Sequence, residues 1–263
     1  AAALVGVLAG ASMAMLITTT ILSGDVTVTD NKANSHGGGI FGSVTMSDRA
    51  RIQGNTSGYG GGVNGTLVMN GGFVCGNTVS GWNGGGGAAG TVTLNEGEIS
   101  GNHSAGAGGG VRGTLYMNGG VIKDNTADGG GGALYGAGTL SGGVITNNQS
   151  ASTGGCAYLA ENGRNLTITG DVQIHKNRAV HGGAVSLVGG TVQISGGVIS
   201  ENQANRLGGG VYVWTSNALN PTITIEKEAV ISDNQASGTG TAPGGQDLYV
   251  AATLTVNNGS NPV

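Results

Sequence analysis

The sequence repeats a short pattern in which an aliphatic residue is followed, three positions later, by asparagine. Nine copies occur in phase, and most intervals between their asparagines are 22–25 residues. The nine asparagines are Asn31, Asn55, Asn77, Asn102, Asn125, Asn148, Asn177, Asn202 and Asn234. A period of roughly 20–50 residues is typical of a chain that stacks one small unit on the next, because a single unit cannot bury its own apolar face.

Residues 114–136, TLYMNGGVIKDNTADGGGGALYG, show one such unit, with three short apolar runs separated by glycine-rich corners. The first run, TLYM (114–117), alternates in a period of two, which predicts a strand. Leu115 and Met117 are expected to point inward, and Thr114 and Tyr116 outward. Ile122 is expected to point inward from a second strand and Leu134 from a third. Each unit is therefore predicted to be a coil of three strands and three corners, with a variable turn after the asparagine.

The chain contains 57 glycines among 263 residues, and many of them recur at fixed phases between the aliphatic runs. Glycine at a fixed phase supplies backbone with positive φ at tight corners, unlike glycine in a flexible linker. Stacked coils are therefore expected to place aliphatic side chains over one another in a dry interior. Backbone hydrogen bonds would run between coils, in parallel pairing.

Two interpretations of the repeated asparagine are open. The nine side chains could form an inward ladder at one corner, with each amide bonding the backbone of adjacent coils. Alternatively, asparagine could merely tolerate the left-handed conformation of a turn. Nine residues in phase favour the ladder.

Residues 20–263 are predicted to form a single solenoid of about nine to ten coils. Residues 1–19 carry no charge, and are interpreted as an apolar N-terminal cap or as the remnant of a signal peptide or membrane anchor. LSGDVTVTDN (22–31) matches ITGDVQIHKN (168–177) in phase. That match favours an early start of the solenoid.

The pairing of GGG[IV] or GGA[LV] with [IV]xxN resembles the repeats of right-handed parallel β-helix proteins. It is similar to the GGAI and FxxN repeats of polymorphic outer-membrane and autotransporter-type passengers, and to the NGGxIxxN…GGGVY repeats of large bacterial cell-surface proteins. The resemblance covers about residues 20–256, with an aliphatic residue in place of the phenylalanine of FxxN. It implies an all-β, single-stranded right-handed parallel β-helix of the pectate-lyase-like kind, which by itself does not specify a function.

Composition excludes several classes of partner and of covalent structure. The net charge is −4 and no run of Lys or Arg occurs, which argues against nucleic acid or an anionic membrane, since both attract basic patches. The two cysteines, Cys75 and Cys156, are expected about 14 Å apart, beyond the ~7 Å Cα separation that a disulfide permits. Both are therefore predicted to be free thiols.

Acid–base chemistry on a sugar needs two carboxylates, or a carboxylate and a base, held close together. The densest charged segment is 226–228 (Glu-Lys-Glu), with Glu201 one coil earlier, and solvated surface charge explains it better than catalysis. His175 and His181 could approach one another around a corner, but no third metal ligand is in step. The sequence therefore predicts no catalytic residues, no metal site and no cofactor.

Threonine recurs at outward positions of the first strand, in an arrangement that resembles the flat TxT arrays of ice-binding surfaces. The second of the two outward columns is interrupted by Val68, Tyr116, Ser141 and Gln193. Threonine also suits exposed strand positions in general. The residues are Thr45, Thr66, Thr91, Thr93, Thr114, Thr139, Thr167, Thr191, Thr222, Thr224, Thr253 and Thr255.

Aromatic residues recur on the outward face of the third strand in the second half of the chain. They are Tyr135, Tyr158, Tyr212, Trp214 and Tyr249, with Ser186 interrupting the series. The two longest intervals between asparagines, 29 and 32 residues, place insertions in the same half. Aromatic rings beside polar loops suit sugar binding, and the alternative is simple packing across coils. Any binding face is expected after residue 130.

These observations favour a non-catalytic, secreted or cell-surface bacterial module, structural or adhesive, whose aromatic face holds a glycan or a host- or cell-surface polymer. A β-helix polysaccharide lyase or glycoside hydrolase is the first alternative, and an ice-binding protein is the second. Solenoids need polar caps, and TLTVNNGSNPV (253–263) does not resemble one. Continuation in a longer protein or end-to-end self-association is therefore expected.

Overall fold

The computed structural model describes residues 17–82, 84–215, 219–238, 246–251 and 253–257. Within these ranges the chain forms 28 β-strands and no helix. Strands of successive turns pair in parallel, so the predicted all-β parallel solenoid is confirmed. None of these residues forms a helix long and apolar enough to cross a membrane.

The third and first strands of a turn are joined in the early turns and separated in the later ones. They form β3 (Ile40–Gln53), β5 (Val63–Cys75), β7 (Ala88–Ser100), β9 (Val111–Met117) and β12 (Leu134–Leu140), of which the first three also include the second strand. The separated pairs are β15 (Ala157–Leu159) with β16 (Asn165–Ile168), β19 (Val185–Leu187) with β20 (Thr191–Ile194), β23 (Val211–Trp214) with β24 (Thr222–Glu226), and β27 (Leu248–Ala251) with β28 (Thr253–Asn257).

The remaining strands complete the turns. β1 (Ile17–Leu22) pairs with β3 at the start of the described chain. Separate second strands are β2 (Thr27–Thr29), β10 (Val121–Lys123), β13 (Val144–Thr146), β17 (Gln173–His175), β21 (Val198–Ser200) and β25 (Val230–Ser232). A short strand follows most ladder asparagines: β4 (Thr56–Ser57), β6 (Thr78–Val79), β8 (His103–Ser104), β11 (Thr126–Ala127), β14 (Gln149–Ser150), β18 (Arg178–His181), β22 (Gln203–Leu207) and β26 (Gln235–Ala236).

The structure corrects the predicted coil in two respects. It has about eight turns instead of nine to ten. The segment after eight of the nine asparagines, expected to be a variable turn, is a short strand in a separate eight-stranded parallel sheet. Its inward residues are mostly small, as in Ser57, Ser104 and Ala127, which are at most 2% exposed. Small residues suffice there because the glycine-rich backbone lies close by: Ser57 donates to the carbonyl of Gly60 at 2.9 Å.

The interior is a set of aliphatic columns. Leu115, Met117, Ile122 and Leu134 are all 0% exposed and belong to one continuous buried cluster. Leu134 pairs in register with the equivalent residues of both neighbouring turns. Burial of this kind contributes roughly 25 cal/mol per Å² of apolar surface, so the columns supply the main driving force for stacking.

The corner between the third and first strands requires glycine in the early turns. Gly113 has a φ of 136°, and a Cβ there would lie 2.1 Å from the carbonyl oxygen of Gly90 in the preceding turn. No side chain fits at that distance. The turns can therefore approach one another at this corner only because both residues lack a Cβ.

The nine repeated asparagines lie in one row along the solenoid. Each asparagine donates two hydrogen bonds to the side-chain oxygen of the next asparagine. One comes from its side-chain amide and the other from its own backbone N–H. Asn102, for example, bonds Asn125 Oδ1 through its Nδ2 at 2.9 Å and its backbone N at 3.0 Å. The same Nδ2 donates backward to the carbonyl of Val74, the aliphatic residue of the preceding pattern. The aliphatic residue and the asparagine of each repeat are thus linked across turns.

Asp247 continues the row past its last asparagine. Its Oδ1 accepts the backbone N–H of Asn234 at 3.0 Å and the Asn234 Nδ2 at 2.8 Å. The residue does not belong to the repeated pattern, because it stands in the glycine cluster where the preceding turn has Gly210. A carboxylate therefore takes the place of the next amide oxygen.

The left-handed conformation belongs to the residue before each ladder asparagine, not to the asparagine itself. These nine residues all have φ between 55° and 66°. Three are glycines, and the other six are Asp30, Asp124, Asn147, Lys176, Glu201 and Asp233. The alternative in which asparagine serves the turn by adopting positive φ is not what the structure shows.

Replacing Asn125 with alanine is expected to lower the free energy of unfolding by about 3 kcal/mol or more. The buried amide donates to the carbonyl of Ile99 and to Asn148, and accepts two bonds from Asn102, and buried unpaired groups cost about 1–3 kcal/mol each. Urea unfolding measures the change. The matched control is Asn118→Ala, whose amide is exposed and should cost less than about 1 kcal/mol. Equal effects of the two variants would contradict the ladder's energetic role.

Lys176→Gly is expected to be more stable than Lys176→Ala by about 1 kcal/mol, because a side chain at φ 57° is strained and glycine is not. Both variants remove the same exposed ion pair to Glu201, so their difference isolates the backbone term. Thermal unfolding of the pair measures it. Identical melting temperatures would show that the left-handed position carries no strain.

Candidate functional site

The outward residues of the third strand form one column along the solenoid. Register partners connect Tyr135 to Tyr158, Tyr158 to Ser186, Ser186 to Tyr212, and Tyr212 to Tyr249. The Tyr135 and Tyr158 rings meet edge to face at 5.6 Å. The Tyr212 and Tyr249 rings stack at 5.5 Å with planes 20° apart.

His181 supplies a ring in the turn where the column has Ser186. It lies on β18, beside the glycine corner, and its ring stacks on Tyr212 at 4.8 Å between centroids. The serine therefore does not interrupt the series of rings, although it does interrupt the tyrosines. We call the set Tyr135, Tyr158, His181, Tyr212, Trp214 and Tyr249 the aromatic stripe.

Trp214 is the most accessible member of the stripe. Its side chain is 45% exposed, whereas Tyr212 is 8% exposed. The planes of the Tyr212 and Trp214 rings are nearly parallel, with an angle of 6° between them, and the ring centroids are 6.5 Å apart. Tyr212 thus serves as the support on which the exposed indole and the neighbouring rings are aligned.

Rings also occur on this face in the first half of the chain, although any binding face was expected after residue 130. Phe41 stands in the same column, and His36 contacts both Phe41 at 6.0 Å and Tyr59 at 5.5 Å. We call these three residues the N-terminal ring group. The guanidinium of Arg112 lies 5.8 Å from the Tyr59 ring and 5.2 Å from the Tyr135 ring. Arg112 thus links the ring group to the aromatic stripe.

A polar loop borders the stripe beside Tyr135. The phenol of Tyr135 donates to Glu161 at 3.5 Å, and Arg164 pairs with the same carboxylate at 3.0 Å. Burial, followed by the charge of Glu161, raises the pKa of Tyr135, while Arg112 and Arg164 oppose that change. The phenol remains protonated at neutral pH and keeps its donor.

Two buried polar atoms at the centre of the stripe lack a hydrogen-bond partner within the described parts of the chain. They are His181 Nδ1 and Ser186 Oγ, and Ser186 is 0% exposed. Burial and then the positive charge of Arg206 lower the pKa of His181, so the ring is neutral at pH 7. Burial raises the pKa of Tyr158 and Tyr212, which keeps both hydroxyl protons. Tyr158, His181 and Tyr212 are therefore uncharged at neutral pH.

The charged clusters considered for catalysis do not converge in the structure. Glu226 accepts a bond from Gln193, Lys227 pairs with Glu228, and Glu201 pairs with Lys176. Each is a surface contact. No group of three or more metal-ligating side chains occurs among the described residues.

His175 and His181 have different environments and do not form a pair. His175 contacts the hydroxyl of Thr146 at 3.2 Å, whereas His181 stacks on Tyr212.

A shallow depression lies at the corner before the ladder, with a volume of about 440 Å³. It is lined by Thr29, Asp30, Gln53, Gly54, Cys75, Gly76, Ser100 and Gly101. Both Cys75 and Cys156 are free. Burial raises the pKa of Cys75, so its thiol is not activated as a nucleophile.

The threonines divide between two outward columns differently from the expected arrangement. Leu140 pairs with Met117, so Thr139 pairs with Tyr116 and lies in the second column, not the first. Ser141, expected in that column, lies beyond it beside Asn118. Ala137 interrupts the first column as well. Neither column is a continuous row of threonines.

A second row of asparagine side chains, which is exposed, was not predicted from the sequence. Asn118 donates to Asn95 and Asn95 donates to Asn70, both at 2.8 Å. The signal was an asparagine directly after the first strand and before the glycine corner. The row is a surface counterpart of the buried ladder.

The fold and its repeated contacts define a parallel β-solenoid repeat protein. The model of the Chlamydia polymorphic membrane protein repeat matches residues 25–43, a segment that contains Asn31 and the glycine cluster 37–39. The resemblance to polymorphic membrane protein repeats is thus supported. No significant match was found among curated proteins, and none among solved structures.

Acidification is expected to destabilise the wild type more than His181→Gln. Because the folded-state pKa of His181 is lowered, the unfolded chain binds the proton more readily, and stability falls as pH drops below about 6.5. Above that value the term is constant. Melting temperatures at about pH 8 and about pH 5 provide the comparison. The same decrease in both proteins would mean that His181 does not contribute.

Proposed function

We propose that the chain is a non-catalytic, adhesive module of a secreted or cell-surface bacterial protein, and that it binds glycan on the aromatic stripe. The repeat match and the solenoid fold fit a structural module of an autotransporter-like surface protein. The resemblance to a membrane-protein repeat supports a location at the bacterial surface. The proposal of glycan binding adds a class of ligand to this surface module.

The observation that carries the proposal is the alignment of Trp214 with Tyr212 and Tyr249. An exposed indole parallel to a supported ring presents a rigid apolar face at low entropic cost. Sugars combine apolar ring faces with hydroxyls, and sites that bind them combine aromatic surfaces with a few polar groups. The Glu161–Arg164 pair and the hydroxyl of Tyr135 supply such groups at the border.

The charges beside the stripe favour binding over hydrolysis. The carboxylate that contacts the stripe, Glu161, is neutralised by Arg164 at 3.0 Å. Hydrolysis of a glycoside by two carboxylates needs a second acid roughly 5–9.5 Å away. The same carboxylate accepts a hydrogen bond from Tyr135, whose ring lies 5.2 Å from the guanidinium of Arg112. Retention of the sugar without cleavage is therefore the expected outcome.

Screening the wild type against a glycan array, followed by titration calorimetry with the best ligand, tests the proposal. Trp214→Ala is expected to weaken binding by about tenfold or more, as truncation of an aromatic anchor typically does. Tyr116→Ala is the matched control, since Tyr116 is also 45% exposed but lies on the first strand. Absence of any glycan ligand, or equal loss in the two variants, would refute the proposal.

A further inference from the structure

The rings on the third-strand face continue almost from one end of the described solenoid to the other. One column of register partners runs from Phe41 through Arg112 to Tyr249. Stacked parallel strands are about 4.8 Å apart, so the eight steps of this column span about 38 Å. Most turns contribute a planar side chain to the face, either from the column itself or from the adjacent short-strand corner.

The column has no ring at Ala89, and the neighbouring turns bridge that position. Ala89 occupies the column there and is 0% exposed, although it lies at an outward position. Tyr59 precedes it by one turn and Arg112 follows it by one, and the Arg112 guanidinium approaches the Tyr59 ring at 5.8 Å. The N-terminal ring group and the aromatic stripe therefore form one surface.

The polarity of this surface indicates a ligand with hydroxyl groups. At its border the hydroxyl of Tyr135 donates to Glu161 at 3.5 Å, and Arg164 pairs with the same carboxylate at 3.0 Å. A sugar hydroxyl can donate to this carboxylate and accept from the guanidinium. The net charge of −4 opposes accumulation of a polyanion.

We propose that the ligand is an extended neutral polysaccharide that lies along the solenoid axis and contacts Tyr59 and Trp214 at the same time. The inference rests on the proposed glycan binding and adds the size, direction and charge of the ligand. Contacts repeated in successive turns add to one another because a single chain makes them all, as in multivalent binding. Affinity therefore depends on ligand length, which a site confined to Trp214 would not show.

Calorimetry with neutral gluco-, manno- and xylo-oligosaccharides of two, four and roughly eight units tests the proposal. In the sugar series that binds, the octasaccharide is expected to bind about tenfold or more tightly than the tetrasaccharide, with one ligand per chain. Tyr59→Ala should weaken the octasaccharide several-fold. Phe41→Ala, which truncates a 37% exposed ring of the same group, is the second variant if Tyr59→Ala unfolds. Tyr116→Ala remains the control.

The outcomes separate the two proposals. Equal affinity for tetrasaccharide and octasaccharide would leave glycan binding intact and overturn the extended ligand. So would loss of binding in Trp214→Ala together with wild-type affinity in both Tyr59→Ala and Phe41→Ala. Tighter binding of polygalacturonate than of every neutral series would overturn the neutral class. No binding of any oligosaccharide or of polygalacturonate would refute the glycan function itself.

Discussion

The carboxamide of asparagine is the interaction on which the rest of this structure depends. One side chain both donates and accepts, so it can pair with an identical residue before it and another after it. In each turn the Nδ2 group also reaches back to the aliphatic residue's carbonyl, as Asn77 does to Ile52 at 2.9 Å. The buried row thereby fixes the register of every turn, because a slip would leave several buried groups unpaired.

Fixed register has a direct effect on the outside of the molecule. Once inward residues lie over inward residues, outward residues also align, and neighbouring turns bring their side chains about 4.8 Å apart. Tyr212 and Tyr249 stack for that reason, although 36 positions separate them in the chain. A repeat needs only a consistent offset from the core to generate a long, regular surface.

The parts of the structure that could be predicted are those with a period. The solenoid class followed from alternation in the strands and from glycine at fixed phases, and the tyrosine column followed from its constant offset after inward residues such as Leu134. The short strands could not be recognised, since Ser57 or Ala127 facing inward leaves no apolar pattern. His181 lies on a short strand and Tyr212 on a third strand, so their contact joins two different columns. The period of one column does not predict a contact with another. The contacts of Arg112 with Tyr59 and Tyr135 could not be predicted, because they depend on the reach of the long arginine side chain and not on the spacing of residues in the sequence.

The buried amide row also has a direction. Each Nδ2 group donates to the next asparagine of the row, or at Asn234 to Asp247, and each Oδ1 past the first accepts from the preceding asparagine. The side-chain dipoles therefore add head to tail as peptide dipoles do in an α-helix. The positive end of the array lies at Asn234, and there Asp247 presents an anionic oxygen at 2.8 Å. An acidic residue at a helix N-terminus has the same relation to its dipole. The solenoid therefore has an electrical polarity along its axis that its net charge does not describe.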